Sequence, residues 1–153
     1  MILSTICYIE KDNKYLMLHR TKKKNDINKN KWIGVGGKIE EGESPEECIL
    51  REVKEETGLT LKEYKLRGIV TYISTTCETD YMYLFSSNDV EGQLIECSEG
   101  DLKWIEKHNI MDLNLWEGDK IFLKKLLEEE NGFFSIKFEY DGDELIRYTI
   151  KEY

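Results

Sequence analysis

The stretch GKIEEGESPEECILREVKEETGL, residues 37–59, decides how the rest of the chain is read. Ser44 precedes Pro45, the chain's single proline, and Glu47 follows three residues after the serine. A serine N-cap, proline at the first helical position and the glutamate of a capping box together predict a helix start. Gly58 after Thr57 suits the left-handed residue that closes a helix. A helix over Pro45–Thr57, about three and a half turns, is therefore expected. On its wheel Ile49, Leu50, Val53 and Thr57 fall on one arc, the core face. Glu52, Glu55 and Glu56 share a separate arc.

Carboxylates at i, i+3 and i+4 repel one another by a few tenths of a kcal/mol per pair. Only Lys54 intervenes, and it points elsewhere. A solvated acidic face is one reading of these glutamates. The other is a hard divalent cation, which wants several carboxylate oxygens with positions left for water and phosphate. Before the helix, WIGVGGK (residues 32–38) reads as a strand followed by a glycine-rich turn. Its glycines, Gly36 and Gly37 among them, permit close backbone approach to phosphate and expose N–H donors. The spacing differs from that of a P-loop.

From Gly37 onward the chain resembles the Nudix family at every defined position of the box G-x5-E-x7-R-E-U-x-E-E-x-G-U, where U is aliphatic. The matching residues are Gly37, Glu43, Arg51, Glu52, Val53, Glu55, Glu56, Gly58 and Leu59. Within that superfamily it is similar to the MutT-type hydrolases of oxidised purine nucleoside triphosphates, the eukaryotic form in particular. That likeness extends to the glycine stretch after Trp32, to Glu99 and Trp104, to Leu115-Trp116 with Asp119, and to the closing YTIKE (residues 148–152).

The resemblance implies an α+β fold: the α/β/α sandwich of the family, a mixed sheet between helices, with a C-terminal β-hairpin. It implies that Glu52, Glu55, Glu56, Glu99 and the backbone carbonyl of Gly37 hold Mg²⁺ or Mn²⁺. Arg51 would pair with the box glutamates and fix them. Arg20 and Lys38 would contact phosphate, and Trp116 and Asp119 would hold the base. The sequence departs from the eukaryotic pattern at Ile33, where those enzymes carry asparagine, and at Gly118-Asp119, where they carry adjacent aspartates. Each change removes a hydrogen-bonding group from the base edge, so substrate preference rests on Ile33, Trp116 and Asp119.

The chemistry suits the residues. Phosphoanhydride hydrolysis needs charge neutralised on phosphoryl oxygens and a water made nucleophilic. A carboxylate beside the metal can take the proton, and either Glu56 or Glu99 could be that base. The expected activity is cleavage of nucleoside triphosphates such as 8-oxo-dGTP to monophosphate and pyrophosphate, which would clean the nucleotide pool. Two alternatives stay open: another diphosphate-linked substrate (a sugar nucleotide, a dinucleotide, a pterin triphosphate), or a non-catalytic nucleotide-binding module.

Composition bounds the partners. The 153 residues, 40% hydrophobic and 35% charged, suit one soluble globular domain spanning 1–153. A net charge of −9 argues against a nucleic-acid polymer. No apolar run reaches the ~20 residues of a membrane helix. The N-terminus lacks the pattern of a signal peptide, so a cytoplasmic monomer is expected. Cys7, Cys48, Cys77 and Cys97 form no C-x-x-C pair and read as reduced, buried thiols. RTKKKNDINKNK (residues 20–31) carries six cations and one acid, a local +5 against −14 for the remainder. It is either a solvated loop or a basic rim that attracts polyphosphate.

Strands are expected over residues 2–10, 15–19, 61–75, 78–86 and 102–105, with a polar loop over 87–100. A second apolar helix should run from Trp116 until Asn131-Gly132 stops it. Alternation on both sides of Asp141-Gly142 predicts the final hairpin.

Overall fold

The structure is a computed structural model that describes residues 1–128 and 131–153. The end expected for the second helix falls partly outside the described residues. Among the described residues nine strands and two α-helices form: β1 (Ile2–Lys11), β2 (Lys14–Arg20), β3 (Trp32–Ile33), β4 (Val35–Lys38), α1 (Pro45–Thr57), β5 (Thr60–Ser74), β6 (Asp80–Glu91), β7 (Gly100–Glu106), α2 (Glu117–Glu128), β8 (Phe134–Asp141) and β9 (Glu144–Glu152). A 3₁₀ turn at Lys107–Asp112 precedes α2.

β1 organises the layers. It pairs with β4 antiparallel and with β6 in parallel, and the sheet continues through β5, β8 and β9. β5 and β8 are the second parallel pair. Residues 4–9 of β1 are all buried, as a strand covered on both faces must be. Successive side chains point to opposite faces. Cys7 and Ile9 meet Ile49 and Val53 of α1, whereas Ile6 and Tyr8 meet Phe122 and Leu123 of α2. One strand thus divides two cores, and the helices close them in the expected α/β/α order. β2, β3 and β7 form a smaller antiparallel sheet joined to β1 by a hairpin. Its turn residues Asp12 and Asn13 both have positive φ, +52° and +62°, as a type I′ turn requires.

The ends of α1 are those its sequence encodes. The Ser44 hydroxyl accepts the Glu47 N–H at 3.1 Å, and Glu47 accepts the Ser44 N–H at 2.9 Å. Gly58 closes the helix at φ +81°, its N–H donating to the Lys54 carbonyl at 3.0 Å. Cys48 joins Ile49, Val53 and Thr57 on the buried face, while Leu50 is only half-buried.

Three expectations change. Residues 35–38 are a strand, not a phosphate-cradling turn. A Cβ at Gly36 would stand 2.0 Å from the Thr5 carbonyl oxygen, so glycine is needed for the approach to β1. β6 runs on to Glu91, leaving a loop of residues 92–99 only. Irregular pairing with β5 around Glu63 disguises that extension, and the Ser87 hydroxyl closes the irregularity on the Glu63 carbonyl at 2.5 Å. Cys77 is exposed, while Cys7, Cys48 and Cys97 are buried free thiols. The closing hairpin forms, with Gly142-Asp143 as its two-residue loop.

Replacing Ser44 by Ala should lower stability by about 1 kcal/mol, the usual worth of a side-chain N-cap. Urea unfolding checks this, and an unchanged midpoint would remove the cap from the account.

Candidate active site

Arg51 sits nearly two turns into α1 and gathers the acids around it. Its Nε and Nη2 hold the two oxygens of Glu43 at 2.7 and 2.9 Å. Nη1 donates to Glu52 at 2.7 Å and reaches Glu55 at 3.4 Å, and Nη2 also donates to the Lys38 carbonyl at 3.1 Å. This two-pronged grip ties the loop before α1 to the helix. It holds the Glu43 carboxyl down at about 2, chiefly through the Arg51 hydrogen bond. The grip also spends Arg51 on positioning.

Glu52 is pressed against β4. A Cβ at Gly37 would fall 2.4 Å from the Glu52 carboxyl carbon, so the carboxylate occupies the room a side chain would take. The Gly37 carbonyl accepts the Thr5 hydroxyl at 3.3 Å. Glu56, one turn further along α1, is largely buried, and Gly36 N–H donates to it at 3.4 Å. Burial, with repulsion from Glu99 and Glu52 added, pushes its carboxyl up to about 9. Arg20 opposes the shift without cancelling it.

Glu99 arrives from the loop before β7. Its Oε2 lies 3.3 Å from Arg20 Nη1, and its Oε1 accepts from Lys23 at 2.9 Å. Arg20 also pairs with Asp26 at 2.7 Å. Part of the basic segment therefore folds back onto the acidic site.

Among the described residues, no three His, Cys, Asp or Glu side chains converge closely enough to hold a metal ion as they stand. Glu52 leans to Arg51, and Glu99 to Arg20 and Lys23. The donor set nonetheless fits a hard divalent cation. It consists of carboxylates and one backbone carbonyl, and its buried member, Glu56, is destabilised as an anion by burial and then by its acidic neighbours.

On the α2 face a cavity of about 240 Å³ is lined in part by Ile6, Ile33, Tyr72, Met82, Trp116 and Asp119. The expected base-pocket residues Ile33, Trp116 and Asp119 are thus brought together. Asp119 is 3% exposed and accepts the Tyr72 hydroxyl at 2.5 Å. Burial pushes its carboxyl up to about 7, against the Tyr72 hydrogen bond and the Lys31 charge. The Trp116 indole N–H donates to Asn28 Oδ1 at 2.8 Å. Lys31 Nζ lies 4.9 Å from its ring centroid, and Tyr140 meets it edge-on at 5.7 Å. Lys38, exposed at the end of β4, acts electrostatically on Glu78 and Asp80, which also line the cavity. Glu55 is 60% exposed at its side chain, with its carboxylate 3.4 Å from Arg51 Nη1.

Sequence reasoning missed Tyr72, Tyr140 and Asn28 as cavity residues. The two tyrosines read as ordinary strand residues. Asn28 carried one signal, a small amide within an otherwise cationic loop.

A family model described as the NUDIX domain matches residues 2–126. The chain is 29% identical over 154 residues to the uncharacterized Nudix hydrolase YvcI of Bacillus subtilis, covering 95% of this chain and 92% of that protein. It is 29% identical over 131 residues to the oxidized purine nucleoside triphosphate hydrolase of Mus musculus, covering 85% and 83%. Among solved structures, the MutT protein of Bacillus halodurans superposes with a TM-score of 0.88 at 29% identity, covering 99% of this chain and 98% of that one.

Asp119 gives a pH signature. Its carboxyl is raised from 3.8 to about 7 on folding, so between those values the unfolded chain has lost a proton that the folded protein keeps. Stability therefore falls as pH rises through that window, by about 1.4 kcal/mol per pH unit at most. Asp119→Asn keeps an acceptor for Tyr72 and removes the ionisation. Its stability advantage over wild type should grow from pH 5 to pH 8 in urea unfolding. A difference that does not vary with pH would contradict the burial of an ionisable group there.

Proposed function

The chain belongs to the Nudix family, hydrolases of pyrophosphate bonds in nucleotide substrates, and on that premise we propose that it cleaves purine nucleoside triphosphates, 8-oxo-dGTP among them, to monophosphate and pyrophosphate. The observation that carries the reading is the pairing of two sites. A buried carboxylate, Glu56, faces Glu52 and Glu99 near the start of β4, and an apolar cavity with Trp116 and Asp119 opens on the other face of β1. Phosphate chemistry and base recognition then have separate places on one scaffold. The likeness to the mouse enzyme, an oxidized purine nucleoside triphosphate hydrolase, supports the substrate class.

Glu52, Glu55, Glu56, Glu99 and the Gly37 carbonyl would hold the divalent cation, usually Mg²⁺ in this family. When bound, it supplies charge for the phosphoryl oxygens and a water acidic enough to attack. Arg51 keeps Glu52 in place and binds no substrate itself. The two oxygens of Glu99 are taken by Arg20 and Lys23, whereas among the described residues Glu56 has only the long contact from Gly36 N–H. Glu56 is accordingly better placed than Glu99 to accept the water's proton, once the charge of a bound cation has released the proton its own carboxyl holds. Arg20 and Lys38 flank the carboxylates as phosphate contacts, Arg20 exchanging part of its hold on Glu99 for the substrate. Hydrolysis of oxidised nucleotides of this kind would serve nucleotide-pool sanitation.

Glu56→Gln should lower kcat by about a hundredfold or more while the protein stays folded. A screen with Mg²⁺ over 8-oxo-dGTP, dGTP, dATP, ADP-ribose and dinucleotides, its nucleotide products separated by chromatography because only the triphosphates release pyrophosphate, tests the substrate class. The proposal holds if a purine triphosphate is the best substrate. It fails if ADP-ribose or a dinucleotide is turned over far faster, or if Glu56→Gln retains wild-type turnover.

A further inference from the structure

The segment between β2 and β3 has a role beyond its charge. Arg20 and Lys23 at its start reach Glu99, but Asn28 at its far end lines the cavity with Trp116 and Asp119. Asn28 is held in place through its own backbone: its N–H donates to Asp26 Oδ1 at 3.0 Å, and its carbonyl accepts the Lys31 N–H at 2.8 Å. Asp26 is fixed in turn by Arg20.

The orientation of the Asn28 amide follows from its partner. An indole N–H can only donate, so the atom 2.8 Å from Trp116 Nε1 is the amide oxygen. The amide NH₂ is therefore directed away from the indole, and among the described residues no acceptor is assigned to it. Other polar groups around the cavity each have a partner of their own. Tyr72 donates to Asp119, the Tyr140 hydroxyl accepts the Gly118 N–H at 2.7 Å, and Asp80 accepts the Ser4 hydroxyl at 2.6 Å. Glu78 is paired with the N-terminus at 2.8 Å. The wall is otherwise largely apolar, formed in part by Ile6, Ile27, Ile33 and Met82.

We propose that Asn28 is a specificity-determining residue: its carbonyl oxygen fixes the Trp116 indole, and its NH₂ donates to a keto oxygen on the base, selecting 6-keto over 6-amino purines. The inference rests on the purine triphosphatase reading above. A 6-amino group would meet the amide donor with a donor of its own. In a largely apolar pocket such a mismatch leaves both groups unpaired, which discriminates more strongly than a change of size. The segment then joins the two halves of the site, with Arg20 on the carboxylates and Asn28 on the base.

The test compares kcat/KM for dGTP, dITP and dATP in wild type, Asn28→Asp and Asn28→Ala. dITP keeps the 6-keto group and lacks the 2-amino group, so it isolates the proposed contact. Wild type should favour dGTP and dITP alike over dATP. Asn28→Asp still accepts from Trp116 but offers an acceptor where the NH₂ stood. It should lower kcat/KM for both keto substrates by about tenfold to a hundredfold and raise it for dATP. Asn28→Ala should bring the three values together. Equal loss on all three substrates in Asn28→Asp, or no change in their ratios, overturns the proposal and leaves the purine triphosphatase reading standing. Should wild type hydrolyse none of the three, that reading fails, and the inference falls with it if GMP and AMP quench tryptophan fluorescence with equal affinity. Tighter binding of GMP than AMP, reversed in Asn28→Asp, would sustain the contact as a binding preference.

Discussion

The repulsion among Glu52, Glu56 and Glu99 is the constraint on which this structure turns. Carboxylates buried close to one another cost stability unless a cation or a proton offsets them. The fold offsets some of that charge with its own cations: Arg51 takes Glu43 and Glu52, while Arg20 and Lys23 take Glu99. Glu56 is left with the least compensation, and burial first, then repulsion from Glu99 and Glu52, pushes its carboxyl up to about 9. A site that holds one anion so poorly compensated is adapted to a positive ligand arriving from outside.

The scaffold explains why the acids stay in place. α1 is fixed at both ends by its caps and along one face by its packing against β1 and β4. Gly36 lets β4 lie against Thr5, and Gly37 leaves room for the Glu52 carboxylate. The glycines thus serve the acids through close packing, and the phosphate would meet side chains and metal rather than a glycine cradle. β1 separates this arrangement from the cavity beside α2, so the chemistry and the choice of base are set by different residues on opposite faces of one strand.

Residues 37–59 were legible because their information is local. Caps, helical period and the spacing of acids all act within a few turns, and α1 forms with the boundaries its sequence encodes. The central strands, the final hairpin and the gathering of Ile33, Trp116 and Asp119 also follow the sequence. What escaped depends on contacts between distant segments. The extension of β6 to Glu91 is sustained by irregular pairing with β5, and no periodicity shows it. The exposure of Cys77 depends on where a hairpin turn emerges. Arg20 and Lys23 read as free cations until folding brings Glu99, some eighty residues away, against them. Asn28 meets Trp116 across 88 positions of sequence, a separation at which no motif could announce the pair.

Thermal unfolding with increasing Mg²⁺, in the absence of nucleotide, tests the carboxylate account most directly. A ligand that binds only the folded state raises the midpoint, its stabilisation growing as RT ln(1 + [L]/Kd). Wild type should gain stability steadily with Mg²⁺ at fixed ionic strength, and Glu56→Gln should gain much less. A wild-type midpoint indifferent to Mg²⁺, or an equal gain in both proteins, would contradict the claim that these carboxylates form the cation site.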